Sequence, residues 1–154
     1  MEKLHLISAD TLFYQPLDHP KMLIDGILSN GLAILSGDSK IGKSWMVLWL
    51  CLKISLGEPV WGLPTAQTDV IYLALEDNDW RIQQRMQELI DEPPKNLHFG
   101  FSCGKLGAEL EGQIKGVLED NPNTGLLFID TLQMVRDNVS SRVNAYAQDY
   151  KDLS

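Results

Sequence analysis

Cysteine is scarce in this sequence, with two in 154 residues, Cys51 and Cys103. Neither belongs to a C-x-x-C pair and no Cys/His cluster accompanies them, which argues against a disulfide framework or a zinc site. Both are expected as reduced, packed thiols of a cytoplasmic protein. The start, Met1-Glu2-Lys3-Leu4-His5, has neither the basic opening nor the apolar run of a secretory signal. Long apolar runs are missing as well. The longest, Trp45 to Leu52, falls far short of the ~20 residues that span a bilayer, so it reads as a buried helix and no membrane partner is expected. Basic residues are outnumbered, 13 Lys and Arg against 21 Asp and Glu, for a net charge of −8. That balance argues against a broad nucleic-acid-binding face, while leaving room for contact through a few basic residues in an oligomer's channel. There is no internal repeat and no low-complexity tract.

What remains is an ordinary soluble composition, 44% apolar and 22% charged, in a length that suits one domain with a real core. Residues 1–21 read as an N-terminal arm, with Pro16, Pro20 and Asp18-His19-Pro20 marking a loop laid over the core; residues 22–154 read as the domain. Leu32-Ala33-Ile34-Leu35-Ser36, bounded by glycines, is expected as a strand buried on both faces. A helix should run from Lys43 to about Leu56, broken by Gly57 and Pro59. Val70 to Leu75 is a second strand. Asp79 is expected to cap a helix carrying Ile82, Met86, Leu89 and Ile90 on one side, stopped by Pro93-Pro94. Leu97 to Phe101 is a third strand. Leu110, Ile114, Val117 and Leu118 line a further helix, with Glu111 and Lys115 paired four apart. Leu126 to Ile129 is a fourth strand, and another helix begins near Asn144. The alternation predicts an α/β fold, a parallel sheet covered by helices.

The strongest chemical signal is Gly37-Asp38-Ser39-Lys40-Ile41-Gly42-Lys43-Ser44, which matches G-x-x-x-x-G-K-[S/T]. At average residue usage such a match arises by accident in about one chain of this length in two hundred, so it is specific before context is weighed. Context adds to it, because the loop joins a predicted strand to a predicted helix. A triphosphate needs converging donors. Backbone N–H groups supply them where side chains do not intervene, and the helix N-terminus points at the same anion. Lys43 would reach the β- and γ-phosphates, and the Ser44 hydroxyl would help hold Mg²⁺. Gly37, Asp38, Ser39, Lys40, Ile41, Gly42, Lys43, Ser44 and Trp45 are the candidate nucleotide-binding residues, with Lys40 read either as a solvated lysine or as a contact to nucleotide. The bland alternative is a glycine-rich turn without a ligand.

Two acids end predicted strands on the side where open parallel sheets bind ligands. Asp130 closes the run Leu126 to Ile129 and is the candidate Mg²⁺ carboxylate; otherwise it is a solvent-facing strand end. Glu76 is the candidate general base that would orient water and take its proton. Asp77 competes with it, and both acids would also sit well at a helix N-terminus. Glu76 is preferred for its reach and its place at the end of the apolar run. Arg136 follows as a surface residue or a phosphate or DNA contact.

These segments together resemble the RepA-like AAA-type ATPases, a RecA-fold group that includes plasmid replicative helicases and is related to DnaB. The resemblance is carried by Gly31-Leu32-Ala33-Ile34-Leu35-Ser36-Gly37 running into Lys40-Ile41-Gly42-Lys43-Ser44-Trp45, by Tyr72-Leu73-Ala74-Leu75-Glu76-Asp77, and by Phe128-Ile129-Asp130-Thr131-Leu132-Gln133. Tyr146-Ala147-Gln148-Asp149-Tyr150 is similar to the family's next helix. The likeness covers residues 22 to 154. It implies a three-layer α/β/α core with a mainly parallel RecA-like sheet, and ATP with Mg²⁺ at a subunit interface. It further implies Glu76 and Lys43 as catalytic residues, self-association into rings, and translocation on single-stranded DNA in the replication of a mobile element. The family continues with a further strand, a sensor residue and an arginine finger. The chain is therefore expected to be a fragment with an incomplete sheet, able to bind nucleotide and to hydrolyse it poorly, with Leu32 to Ser36 as an exposed apolar edge.

Three other readings share parts of the pattern. A small-molecule P-loop kinase would need an arginine-rich lid, and no basic cluster stands out. A RadA-like recombinase ATPase would share the core and form filaments. A non-enzymatic remnant or regulatory module would keep the fold without turnover.

Overall fold

The structure, a computed structural model, describes residue 4 and residues 6–136. Its centre is a parallel three-stranded sheet in the order β4–β3–β5, formed by β3 (Asp69–Ala74), β4 (Leu97–Gly100) and β5 (Thr124–Asp130). Val70 pairs with Leu97 on one side and Leu126 on the other, and the register carries through to Ala74 opposite Asp130. β3 carries Val70, Ile71 and Tyr72, and Phe99 of β4 and Phe128 and Ile129 of β5 are likewise residue types that pack well on a pleated surface. Sequence and structure agree on them to within two residues at each end.

One face of the sheet carries Val70, Tyr72 and Ala74, on which α2 (Lys43–Leu56) lies. Val47, Leu48, Cys51, Leu52 and Ile54 of α2 are buried there, with Ile82 of α3 (Asp79–Leu89) beside them. Gly57 ends α2 in the left-handed region at φ +71°, and the N–H groups of Gly57 and Glu58 donate to the carbonyls of Ile54 and Lys53. That geometry closes the helix with the residue that adopts it at least cost. The opposite face, with Ile71, Leu73 and Leu127, is covered by α4 (Ala108–Asp120) through Leu110, Ile114 and Val117, around a largely apolar cavity of about 350 Å³. The result is the expected α/β/α layering with an incomplete sheet. The Glu111–Lys115 ion pair forms on α4 as its spacing predicts. Among the described residues, no helix is long and apolar enough to cross a membrane.

Three expectations are corrected. The strand at Leu32–Ser36 is not formed; the segment is irregular and exposed, with Ile34 at 63%. An apolar run reports a tendency to be buried, whereas a strand exists only where a neighbour supplies a hydrogen-bonding ladder, and among the described residues the parallel ladder runs through β4, β3 and β5 without this segment. Second, the cap of α3 is Asn78, whose side-chain oxygen accepts from the Arg81 N–H at 2.9 Å; Asp79 is the first helical residue. Both residue types favour this position, so sequence separates them poorly. Third, the arm over residues 1–21 is more than a loop, since it holds a short exposed helix, α1 (Ala9–Tyr14). The residues that follow it form a hairpin of β1 (Met22–Ile24) and β2 (Leu28–Ser29). Ile24 is fully buried in the core. Strands this short carry no readable period. A short helix, α5 (Leu132–Val135), follows β5. The helix expected from Asn144, with Tyr146 to Tyr150, lies outside the described residues.

Candidate nucleotide site

The direction of α2 decides where the glycine-rich loop lies. At its C-terminal end the Ser55 carbonyl accepts from Gln67 Nε2 at 3.0 Å and Asn96 Nδ2 at 2.9 Å, and Asn96 also donates to the Thr68 carbonyl. Gln67, Thr68 and Asn96 stand just before β3 and β4 begin, so these bonds pin the end of α2 to the amino ends of the strands. A 14-residue helix is about 20 Å long, the length of a six-residue strand. The start of α2 therefore reaches the carboxyl ends of the strands, where Glu76 and Asp130 stand. This is the edge at which open parallel sheets bind ligands.

Gly42 precedes α2 at φ +91°, a conformation open to glycine, and no side chain caps the helix there. The first-turn N–H groups, which have no intrahelical partner, are left as donors for an anion. The Lys43 ammonium donates to the carbonyls of Gly37 at 2.7 Å and Asp38 at 2.6 Å, so the lysine closes the loop on itself. Asp38, Ser39, Lys40 and Ile41 are exposed around the turn, with Lys40 at φ +66°. Lys43 and Ser44 are half-buried. Ser44 lies four and seven residues before Leu48 and Cys51, on the side of the helix that faces the sheet.

The two neighbouring acids after β3 differ sharply. Asp77 is nearly buried, its side chain 7% exposed, and is ion-paired with Arg85 and, at 3.5 Å, with Arg81. The Arg85 guanidinium also lies over the Trp45 ring, 5.3 Å from its centre. The Asp77–Arg85–Trp45 chain thus ties the turn after β3 to the first turn of α2. Glu76 is exposed, with no side-chain hydrogen bond or ion pair among the described residues.

Asp130 ends β5, half-buried, and its Oδ2 accepts from the Tyr72 hydroxyl at 2.7 Å. Its carbonyl accepts from the Leu75 N–H at 2.8 Å. No hydrogen bond joins it to Ser44. Burial above all, and then the nearby Asp130 carboxylate, push the Cys51 thiol up to about 12. Burial and the bond to Asp130 raise the Tyr72 hydroxyl well above the usual phenol range. Among the described residues no group of three or more His, Cys, Asp or Glu could hold a metal. One carboxylate and one hydroxyl are instead a donor set that suits Mg²⁺, which keeps water and phosphate oxygens in its shell.

The fold thus gathers the glycine-rich loop, Trp45, Glu76, Asp77 and Asp130 at one end of the sheet. Arg136 is half-buried at the end of α5. Two residues escaped the sequence reading. Tyr72 looks like any core residue in an apolar strand, and Arg85 like any surface residue of a helix; only the packing shows what their polar ends meet.

A protein-family model described as AAA domain matches residues 2–149, nearly the whole chain. Neither the curated proteins nor the solved structures yield a match. The family is one of P-loop ATPases that generally bind ATP with Mg²⁺. With its glycine-rich loop, its lysine and its α/β core, the chain belongs to the AAA domain family.

Proposed function

We propose that this chain binds Mg²⁺-ATP through Gly37 to Trp45 and hydrolyses it, as the ATPase core of a RepA-like protein. The observation that carries the reading is the uncapped start of α2 at the carboxyl ends of the strands. It leaves backbone donors free beside a lysine held across the loop. Arriving phosphate oxygens would replace the carbonyls of Gly37 and Asp38 as acceptors for Lys43. Ser44 and Asp130 would hold the metal, which when bound would offset the charge on the β- and γ-phosphate oxygens. Glu76, exposed and unpaired, would orient a water and accept its proton. The ion pairs of Asp77 leave it poorly placed for that task, which favours Glu76 of the two.

Coupling of turnover to movement on single-stranded DNA, in replication of a mobile element, is the part of this reading that rests on the resemblance of the three segments to RepA-like helicases. So do assembly into a ring and residence in the cytoplasm. A second reading, a nucleotide-binding module without turnover, draws on the exposed, unpaired Leu32 to Ser36 ahead of the loop and on the lack of a hydrogen bond between Ser44 and Asp130.

Calorimetric titration of Mg²⁺-ATP into the wild type and Lys43→Ala, with a melting curve for each, tests the proposal. Binding that vanishes in a folded Lys43→Ala supports it; a folded wild type that binds no nucleotide refutes it. Phosphate release with and without single-stranded DNA then separates the two readings. Turnover stimulated by DNA supports the helicase reading, and binding without turnover supports the module.

A further inference from the structure

Asp130 has one side-chain hydrogen-bond partner among the described residues, the Tyr72 hydroxyl, and that partner comes from the neighbouring strand. Tyr72 is fully buried on β3, the central strand, and its ring sits between those of Phe99, 5.8 Å away, and Phe128, 6.1 Å away. Aromatic neighbours on both sides restrict the ring, and with it the position of the hydroxyl. The backbone of Asp130 is held as well, by pairing with Ala74 and by the Leu75 N–H. What the strand leaves free in Asp130 is rotation of the carboxyl group, and the Tyr72 bond removes it. With Oδ2 engaged, Oδ1 is the oxygen open to a cation or to its bound water.

The chemistry of the partner matters as much as its place. A phenol is a neutral donor at ordinary pH. It fixes the direction of the carboxylate and leaves its full negative charge, whereas an arginine or lysine in the same place would offset the charge that a cation needs. Loss of an outer partner that orients a metal ligand in this way typically costs about 10–100-fold in metal affinity.

We propose that Tyr72 is a positioning residue, which aims the Asp130 carboxylate at the metal of Mg²⁺-nucleotide through the bond from its hydroxyl to Oδ2. The proposal rests on the nucleotide reading above and adds a residue that the glycine-rich loop does not involve.

The test is the Mg²⁺ dependence of ATP affinity, measured by calorimetry in EDTA and at graded Mg²⁺ for wild type, Tyr72→Phe, Asp130→Asn and the double variant. In Tyr72→Phe the affinity in EDTA should stay within about two-fold of wild type, while the Mg²⁺ needed for half the enhancement should rise about tenfold. In the Asp130→Asn background the same substitution should add nothing, because its effect runs through that carboxylate. Unchanged Mg²⁺ dependence in Tyr72→Phe overturns the proposal and leaves the nucleotide reading intact, as does an equal effect in the Asp130→Asn background. ATP binding by the wild type that ignores Mg²⁺ overturns the proposal alone, and a folded wild type that binds no ATP overturns both. Should Tyr72→Phe lack a cooperative melt, the wild type labelled with ¹³C at the tyrosine ring Cζ decides. A Tyr72 signal that moves on adding Mg²⁺ to the ADP-bound protein, beyond the change at Tyr14, supports the proposal; a still signal overturns it.

Discussion

Arg85 forms an ion pair with Asp77 while its guanidinium lies against the ring of Trp45, so one side chain joins the turn after β3 to the first turn of α2. Asp77 is nearly buried and Arg85 is 19% exposed. Removing the arginine would leave a carboxylate with little access to water and only the more distant Arg81 as partner. Arg85→Met should cost about 2 kcal/mol, below the figure for a fully buried pair because Arg85 is partly solvated. Lysine should restore little, since it lacks the planar group that both pairs and stacks. Denaturant titration of the three proteins measures both effects.

The contrast between Glu76 and Asp77 predicts opposite outcomes for two similar substitutions. Glu76→Gln should lower ATP turnover at least about a hundred-fold with nucleotide affinity retained, as expected for loss of a general base. Asp77→Asn should instead lower the melting temperature and leave most of the turnover. Phosphate release, calorimetry and melting curves on both variants decide it. Turnover surviving in Glu76→Gln would remove Glu76 from the role given to it.

The end of α2 depends on Gly57. Its φ of +71° is strained for any residue with a Cβ, and an added Cβ would come within 3.0 Å of Gln67 Cβ, in a side chain that itself holds the end of the helix. Gly57→Ala should therefore destabilise the fold by about 1–2 kcal/mol. Chemical denaturation of the variant is the check.

Stability should be level near neutral pH and fall under alkaline conditions. The Cys51 thiol, with an ordinary value of 9.0, is raised in the fold to about 12, so the folded state holds its proton more tightly than the unfolded chain does. Its contribution is fully present below about pH 9 and is lost as pH rises through about 12. Tyr72, ordinarily 10.0, is raised as well and adds to the fall at higher pH. Each group contributes a slope of up to about 1.4 kcal/mol per pH unit while the two states differ by a full proton. Urea midpoints from pH 7 to 11 measure this, and Cys51→Ala should lessen the slope where it begins.

Much of this was legible in the chain itself. Three of the four expected sheet strands stand where apolar runs of β-forming residues end in an acid or a glycine, and α2 runs from the lysine of the motif to the residue before Gly57, as expected. These signals are local: a glycine able to adopt positive φ, a helix start, an apolar run of strand length. Leu32 to Ser36 carried the same apolar signal and formed no strand, because pairing requires a second chain segment at the right height and no residue of the run specifies one.

The sequence by itself determined the glycine-rich loop at the start of α2, because that loop is built from consecutive residues whose backbone conformation and charge are intrinsic to them. It also determined the alternation that makes the layers. Only the tertiary structure decided which acid is committed and which is free, since Asp77 and Glu76 differ by the Arg85 they do or do not meet. Likewise only packing brought the Tyr72 hydroxyl to Asp130, across 58 residues of chain. Such pairings depend on how strands and helices dock, and docking is set by the summed burial of many side chains, not by any short stretch of residues.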